Sequence, residues 1–149
     1  MITNKNIVLV SGAIVYKDYA GGQRWFIIKS NKDNEWEIPK VVVRKVESSV
    51  RASLRMMGEQ CGMNTKVLEE EGRAGGATTI NGKSLTQRCI YYLMVRRSSN
   101  NEVMGFDEHK WLEYAKALKL LSSKREKLML RQAKKELTKY FREKGRKYL

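Results

Sequence analysis

The 149-residue sequence predicts an α/β fold, an α+β sandwich, from three observations. Runs rich in Val, Ile and Tyr, which are typical of strands, lie at residues 6–17, 24–29 and 86–97. A helical apolar pattern lies between them, and a longer helical pattern occupies residues 124–147. The apolar fraction of 42% is that of a globular chain. We therefore expect a single domain over residues 1–149.

The first half predicts a hairpin of strands. Gly21-Gly22 marks a turn between the strand at 6–17 and the strand at 24–29, because glycine adopts turn conformations at low cost. Gly12 lies inside the first strand. A glycine there favours a kink or a bulge.

A helix is predicted from about Ser49 to Cys61. Val50, Leu54, Met57 and Cys61 recur at spacings of four, three and four, which predicts that they form its buried face. Ser48 and Ser49 suit the N-cap, and Gly62 suits the end because glycine reaches the left-handed conformation.

The second half predicts two more strands and two more helices. A strand at 65–71 is followed by a predicted flexible bend at 72–76, with the sequence GRAGG. Asn81-Gly82 predicts a two-residue hairpin turn before the strand at 86–97. Helices are predicted at 114–121 and at 124–147, where an apolar stripe includes Leu128, Leu137, Tyr140 and Phe141.

The net charge of +14 indicates a polyanionic partner, RNA or DNA in preference to an acidic membrane surface. Residues 124–147 hold eleven Lys and Arg against three Glu, a local charge of +8. Such a run is often only a solvated helix face, but its density also suits a phosphate backbone. The candidate nucleic-acid-binding residues are Lys124, Arg125, Arg131, Lys134, Lys135, Lys139 and Arg142.

Composition also bears on location and on metal chemistry. No apolar run approaches the length of a membrane span, and the N-terminus lacks the apolar core of a signal peptide, so we expect an intracellular protein, cytoplasmic or organellar. Cys61 and Cys89 stand apart and are expected to be buried, reduced thiols. The lone His109 is expected to be a surface or packing residue.

Residues 36–63 resemble the signature of the Nudix hydrolases. That signature reads Gly, five residues, Glu, seven residues, Arg-Glu-apolar-x-Glu-Glu-x-Gly-apolar, and it corresponds here to residues 41–63, termed the box. Trp36 to Lys40 also resembles the strand that precedes the box in many members. The matching positions are Glu47, Arg55, Met57, Glu59, Gly62 and Met63, and the departures are Val41 for Gly, Met56 for Glu and Gln60 for Glu.

The resemblance implies a Nudix fold, a mixed sheet packed between helices, and a Mg²⁺ site that this chain has largely lost. In the family, the three carboxylates at positions 56, 59 and 60 converge on the metal, and here only Glu59 is an anion. An acidic stretch ahead of Trp111 and a helix is similar to the segment in which many Nudix enzymes place a further carboxylate near the metal. Glu102, Asp107 and Glu108 are the candidates here, beside the alternative of an ordinary acidic loop.

Two other family positions concern the loop before the helix. Glu47 and Arg55 are implied to brace that loop as an ion pair. Val41 replaces a glycine, so we expect the turn there to differ or to be strained.

Three hypotheses follow. In the first, the protein is a Nudix-like pseudoenzyme that binds RNA, a nucleotide or an RNA-protein assembly, with Mg²⁺ binding weak or absent. The family offers precedents in pre-mRNA cleavage and in mitochondrial ribosomes. In the second, it is an active but weak or unusual Mg²⁺-dependent hydrolase of nucleoside diphosphate derivatives or RNA caps that uses Glu59 with a carboxylate from Glu102 to Glu108. In the third, it is a basic α/β domain unrelated to Nudix proteins.

Overall fold

The computed structural model describes residues 7–29, 34–100 and 102–148. The strands are β1 (Ile7–Tyr19), β2 (Gly22–Lys29), β3 (Trp36–Glu37), β4 (Lys40–Val42), β5 (Met63–Ile80), β6 (Lys83–Ser99) and β7 (Glu108–Leu112). The helices are α1 (Ser49–Cys61), α2 (Tyr114–Leu120) and α3 (Lys124–Tyr148). The predicted hairpin, the first helix and both later helices are confirmed. Asn6 of the predicted first strand lies outside the described residues.

The seven strands form one mixed sheet in the order β3-β2-β1-β6-β5, with β4 paired to β1 and β7 paired to β2. β1 and β6 are parallel, and the other pairs are antiparallel. Because side chains alternate between the faces of a strand, neighbours such as Ala13 and Ile14 enter two different cores. The fold class and the mixed sheet are confirmed.

Each face of the sheet is covered by helices. Ile14, Tyr16, Trp25 and Leu93 pack with α2 and α3 in the first core cluster, where Leu130, Ala133 and Leu137 supply the buried side of α3. The second core cluster lies against α1 and contains Phe26, Ile28, Met56, Met57, Cys61, Met63 and Met94. Both cysteines are buried free thiols, as predicted.

Two predictions about glycines were wrong, the bulge at Gly12 and the bend at residues 72–76. β1 pairs with β6 without a shift in register from Ile7 to Tyr16, so the pairing has no bulge at Gly12. A Cβ at Gly12 would lie 2.6 Å from Cδ1 of Tyr91, so the glycine makes room for that ring. The GRAGG segment is also not a bend, because residues 72–76 pair with β6 inside β5. A Cβ at Gly72 would lie 3.1 Å from the Met129 side chain, a tight contact that its missing side chain avoids.

Some predicted core positions on the helices were also wrong. Leu54 is 38% exposed, whereas Met56 is fully buried, so the buried face of α1 is rotated from the predicted one. On α3, Leu128 and Phe141 are exposed, while Leu130 and Ala133 are buried. Among the described residues, no helix is both long and apolar enough to span a membrane.

Candidate functional site

The Glu47–Arg55 pair fixes the loop before α1, as predicted. Arg55 Nε and Nη2 donate to Glu47 Oε2 at 2.8 Å and Oε1 at 3.0 Å, a bidentate pair. Glu47 also accepts from the Arg44 amide, and Arg55 also donates to the Val42 carbonyl. The hydrogen bonds from Arg55 and from the Arg44 amide lower the pKa of Glu47 to about 2. The pair therefore ties residues 42–47 to the middle of α1.

The ends of α1 are set by the residues that the sequence indicated. Ser48 is the N-cap, and its hydroxyl accepts from the Arg51 amide. Gly62 is the C-cap, with a φ of 60°, and its amide donates to the Met57 carbonyl. A Cβ at Gly62 would clash with Asn100 Oδ1 and would lie 2.9 Å from the carbonyl oxygen of Glu102, so the close approach of residues 100 and 102 also favours glycine.

The strained residue near the loop between β4 and α1 is not Val41. Val41 lies in β4 and pairs with Ser11. The left-handed residue is instead Val46, with a φ of 60° and 99% exposure. A β-branched residue rarely adopts this conformation. The strain that was predicted at Val41 therefore lies five residues further on, at Val46.

The two substituted box positions on α1 have packing roles. Met56 is fully buried in the second core cluster. The Gln60 carbonyl accepts from the amides of Met104 at 2.8 Å and Gly105 at 3.1 Å, so Gln60 holds the loop between β6 and β7. A Cβ at Gly105 would lie 2.6 Å from Gln60 Oε1, which shows how closely the two residues pack. Glu59, between them, is exposed.

The three acidic candidates at residues 102–108 lie on the surface. Glu102, Asp107 and Glu108 are all exposed. Glu108 lies in β7 and forms an ion pair with Lys29 at 2.9 Å, which lowers the pKa of its carboxyl. Within residues 7–29, 34–100 and 102–148, no group of three or more His, Cys, Asp or Glu side chains is arranged to hold a metal ion.

A basic groove runs along α3 and contains most of the predicted nucleic-acid-binding residues. It has a volume of about 500 Å³. Lys134 lies over the Tyr114 ring at 5.7 Å and donates to Gln23 Oε1 at 3.3 Å. The residues that line the groove are Tyr114, Arg131, Lys134, Lys135, Thr138, Lys139 and Arg142. Of the seven predicted residues, Lys124 and Arg125 lie outside it, in the first turn of α3.

Solved structures provide the comparison that decides the fold. The C. elegans Ap4A hydrolase binary complex is 19% identical with a TM-score of 0.74, covering 88% of this chain and 98% of that chain. The E. coli dihydroneopterin triphosphate pyrophosphohydrolase is 12% identical with a TM-score of 0.70, covering 83% and 92%. The NUDIX domain of Shewanella oneidensis NrtR complexed with ADP ribose is 16% identical with a TM-score of 0.63, covering 87% and 88%.

The chain has the Nudix fold. The third hypothesis, an α/β domain unrelated to Nudix proteins, is therefore wrong at the level of the fold. No protein-family sequence model and no curated protein sequence matches this chain.

The donor set on α1 does not fit the divalent metal that the Nudix fold implies. Mg²⁺ prefers hard oxygen ligands, above all carboxylates. Position 56 holds a buried thioether, which suits softer metals, and position 60 holds a neutral amide that packs on Gly105. Glu59 is the one carboxylate among the three box positions. In this Nudix fold, the side chains at positions 56 and 60 of α1 therefore pack against their neighbours and offer no carboxylate to a metal ion.

One buried polar cluster of this Nudix fold, centred on Glu126, was not predicted from the sequence. The Glu126 carboxylate is buried in the first turn of α3 and accepts from the Ile38 amide, Lys40 Nζ and the Tyr91 hydroxyl. Burial lowers the pKa of Lys40, but the attraction of Glu126 and Glu37 outweighs burial and raises it. The spacing of Ser123 and Glu126, which is that of a capping box, was an available signal for the start of α3. It gave no sign that the carboxylate would turn towards the sheet.

Proposed function

We propose that this Nudix-fold protein binds RNA, alone or in an RNA-protein assembly, through the basic groove of α3, and that it has little or no hydrolase activity. The observation that carries the proposal is the groove itself. Five of its seven lining residues are cationic and none is acidic. A concave surface with this charge favours a phosphate backbone, because each cation that contacts a phosphate releases a bound counterion.

The positions of the cations on α3 support a preformed binding surface on one side of the helix. Arg131, Lys134, Lys135, Lys139 and Arg142 recur at three- and four-residue spacings, which places them on one side of the helix. The buried residues Leu130, Ala133 and Leu137 hold the opposite side against the sheet. The groove is therefore backed by the first core cluster and presented on a rigid helix.

Neutralising three lysines of the groove should weaken RNA binding at least tenfold. In K134Q/K135Q/K139Q, each lost phosphate contact should also reduce the slope of log affinity against log salt by about 0.7 to 0.9. Fluorescence anisotropy with a labelled RNA, over a series of salt concentrations, measures both quantities.

A matched control for this variant removes the same charge elsewhere. K45Q/K66Q/K83Q neutralises three exposed lysines outside the groove. It should change RNA affinity much less than the groove variant. Equal effects of the two triple variants, or an affinity indifferent to salt, would contradict the proposal.

The competing hypothesis, an active hydrolase, has its own test. Purified protein incubated with Mg²⁺ or Mn²⁺ should give little or no turnover of nucleoside diphosphate derivatives or of capped RNA, because Met56 and Gln60 stand where the Nudix signature has two carboxylates. If the wild type cleaves any of them and E59Q abolishes cleavage while the exposed-site variant E143Q retains it, the pseudoenzyme proposal is wrong.

A further inference from the structure

A second cationic cluster lies on the α1 face of the sheet, beyond the second core cluster. Lys17 of β1 pairs with Arg24 of β2 across the hairpin. Trp111 of β7 pairs with Phe26, two residues after Arg24 in β2. Arg96 lies on β6, the other neighbour of β1, directly after Val95, which pairs with Tyr16. Lys17, Tyr19, Arg24 and Trp111 line a cavity of about 250 Å³. We call Lys17, Tyr19, Arg24, Arg96 and Trp111 the hairpin cluster.

The cations of the hairpin cluster lie close to aromatic rings. Lys17 Nζ lies 4.5 Å from the centroid of the Trp111 ring, and Arg96 Cζ lies 5.3 Å from it. Arg24 Cζ lies 4.9 Å from the centroid of the Tyr19 ring. Tyr19 is 54% exposed, so part of its side chain is open to solvent. The cluster therefore offers positive charge and an accessible aromatic ring within one small cavity.

The positive charges of the hairpin cluster are only partly compensated by carboxylates. Arg24 pairs with Glu113 at 3.0 Å. Within the described ranges, no carboxylate forms an ion pair with Lys17 or Arg96. Burial, and then the charges of Arg96 and Arg24, lower the pKa of Lys17. An anion placed among the three cations would relieve their mutual repulsion.

The hairpin cluster adjoins the basic groove around the tip of the β1–β2 hairpin. Gln23, which accepts from Lys134 of the groove, directly precedes Arg24 of the cluster. Glu113, the partner of Arg24, directly precedes Tyr114, which lines the groove. One extended polyanion can therefore pass from α3 over the hairpin to the opposite face of the sheet.

We propose that the hairpin cluster binds an unpaired nucleotide of the RNA held by the α3 groove, so that the preferred partner is single-stranded RNA. Lys17, Arg24 and Arg96 bind the phosphate, and the base stacks on Tyr19. Stacking on an aromatic side chain needs an unstacked base, which a duplex does not offer. The inference rests on the proposed function, because the groove supplies the neighbouring backbone contacts.

The test compares one RNA in two forms. A labelled mixed-sequence strand of about ten nucleotides is titrated alone and annealed to its complement, and binding is followed by anisotropy. K17Q/R96Q should weaken binding of the single strand about tenfold and binding of the duplex less than about threefold. K83Q/R88Q removes one lysine and one arginine from exposed positions near the other end of β6 and should leave both affinities near wild type.

Three further variants separate stacking from charge. Y19A should weaken binding of the single strand several-fold with an unchanged salt slope, whereas Y19F keeps the ring and should bind like wild type. K17R/R96K keeps both charges and should also bind nearly as wild type. Circular dichroism checks that each variant is folded.

The outcomes distinguish this inference from the function on which it rests. If K134Q/K135Q/K139Q loses RNA affinity while K17Q/R96Q and Y19A bind the single strand as wild type does, the hairpin cluster is not an RNA site and the groove proposal stands. If K17Q/R96Q weakens the single strand and the duplex equally, the preference for unpaired RNA is wrong. If neither the groove variant nor the cluster variant changes affinity, both proposals fail.

Discussion

Replacing Glu126 with alanine is expected to lower the free energy of unfolding by about 3–5 kcal/mol, because it leaves the largely buried Lys40 ammonium with only the more distant Glu37 carboxylate, at 3.6 Å, as counter-charge. Glu126 accepts from the Ile38 amide at 2.9 Å, Lys40 Nζ at 2.6 Å and the Tyr91 hydroxyl at 2.8 Å. The substitution removes the acceptor of all three donors. Unfolding in urea, followed by circular dichroism, measures the loss.

Two further variants test this explanation. E143A removes an exposed glutamate from the same helix and should change the free energy of unfolding by less than about 0.5 kcal/mol. K40M removes the ammonium that has lost its nearest carboxylate, so K40M/E126A should be more stable than E126A alone. An E126A variant as stable as E143A would show that the buried contacts at Glu126 contribute little.

The Glu71 carboxylate should make the protein less stable as pH rises from about 4.5 to about 7. Glu71 is 2% exposed, and neither carboxylate oxygen has a hydrogen-bond partner among the described residues. Burial, and then the charges of Glu136 and Glu69, raise the pKa of Glu71 from 4.5 to about 7. Between these values the unfolded chain releases a proton that the folded chain retains. The unfolded state is therefore favoured progressively over this range.

The substitution E71Q should remove this pH dependence. Relative to wild type, its free energy of unfolding should rise between pH 4 and pH 8 by up to about 3 kcal/mol, whatever constant offset the buried amide adds. Denaturant unfolding of both proteins across that range measures the difference. The free energy of unfolding of E143Q, a variant at an exposed site, should change with pH as that of wild type does. If the difference in free energy of unfolding between E71Q and wild type does not change with pH, Glu71 is charged in the folded protein at neutral pH.

The features of α1 that were predicted correctly depend on neighbours in the sequence. Ser48 caps an amide three residues ahead, Gly62 ends the same helix, and Arg55 reaches Glu47 eight residues back. The buried face depends instead on where the sheet lies. Apolar spacing alone could not show that Met56, and not Leu54, would point into the second core cluster.

The features that were missed depend on contacts between distant segments. The GRAGG segment has a composition typical of a bend, but its pairing with β6 and the approach of Met129 hold it as strand. Glu126 meets Ile38 across 88 positions in the chain. The hairpin cluster combines residues of four strands, and no local pattern brings Lys17 to Trp111. Such sites become visible only after the strand order is known.

The burial of Met56 limits how this protein can change. A glutamate at position 56, as in the Nudix signature, would now enter a fully buried site among apolar and sulfur-containing side chains. An ionised carboxylate without a partner is strongly disfavoured there. A glutamate at position 60 would regain a charge but still lack its companion at 56. The two carboxylates of the Nudix signature therefore cannot be introduced into this chain one residue at a time.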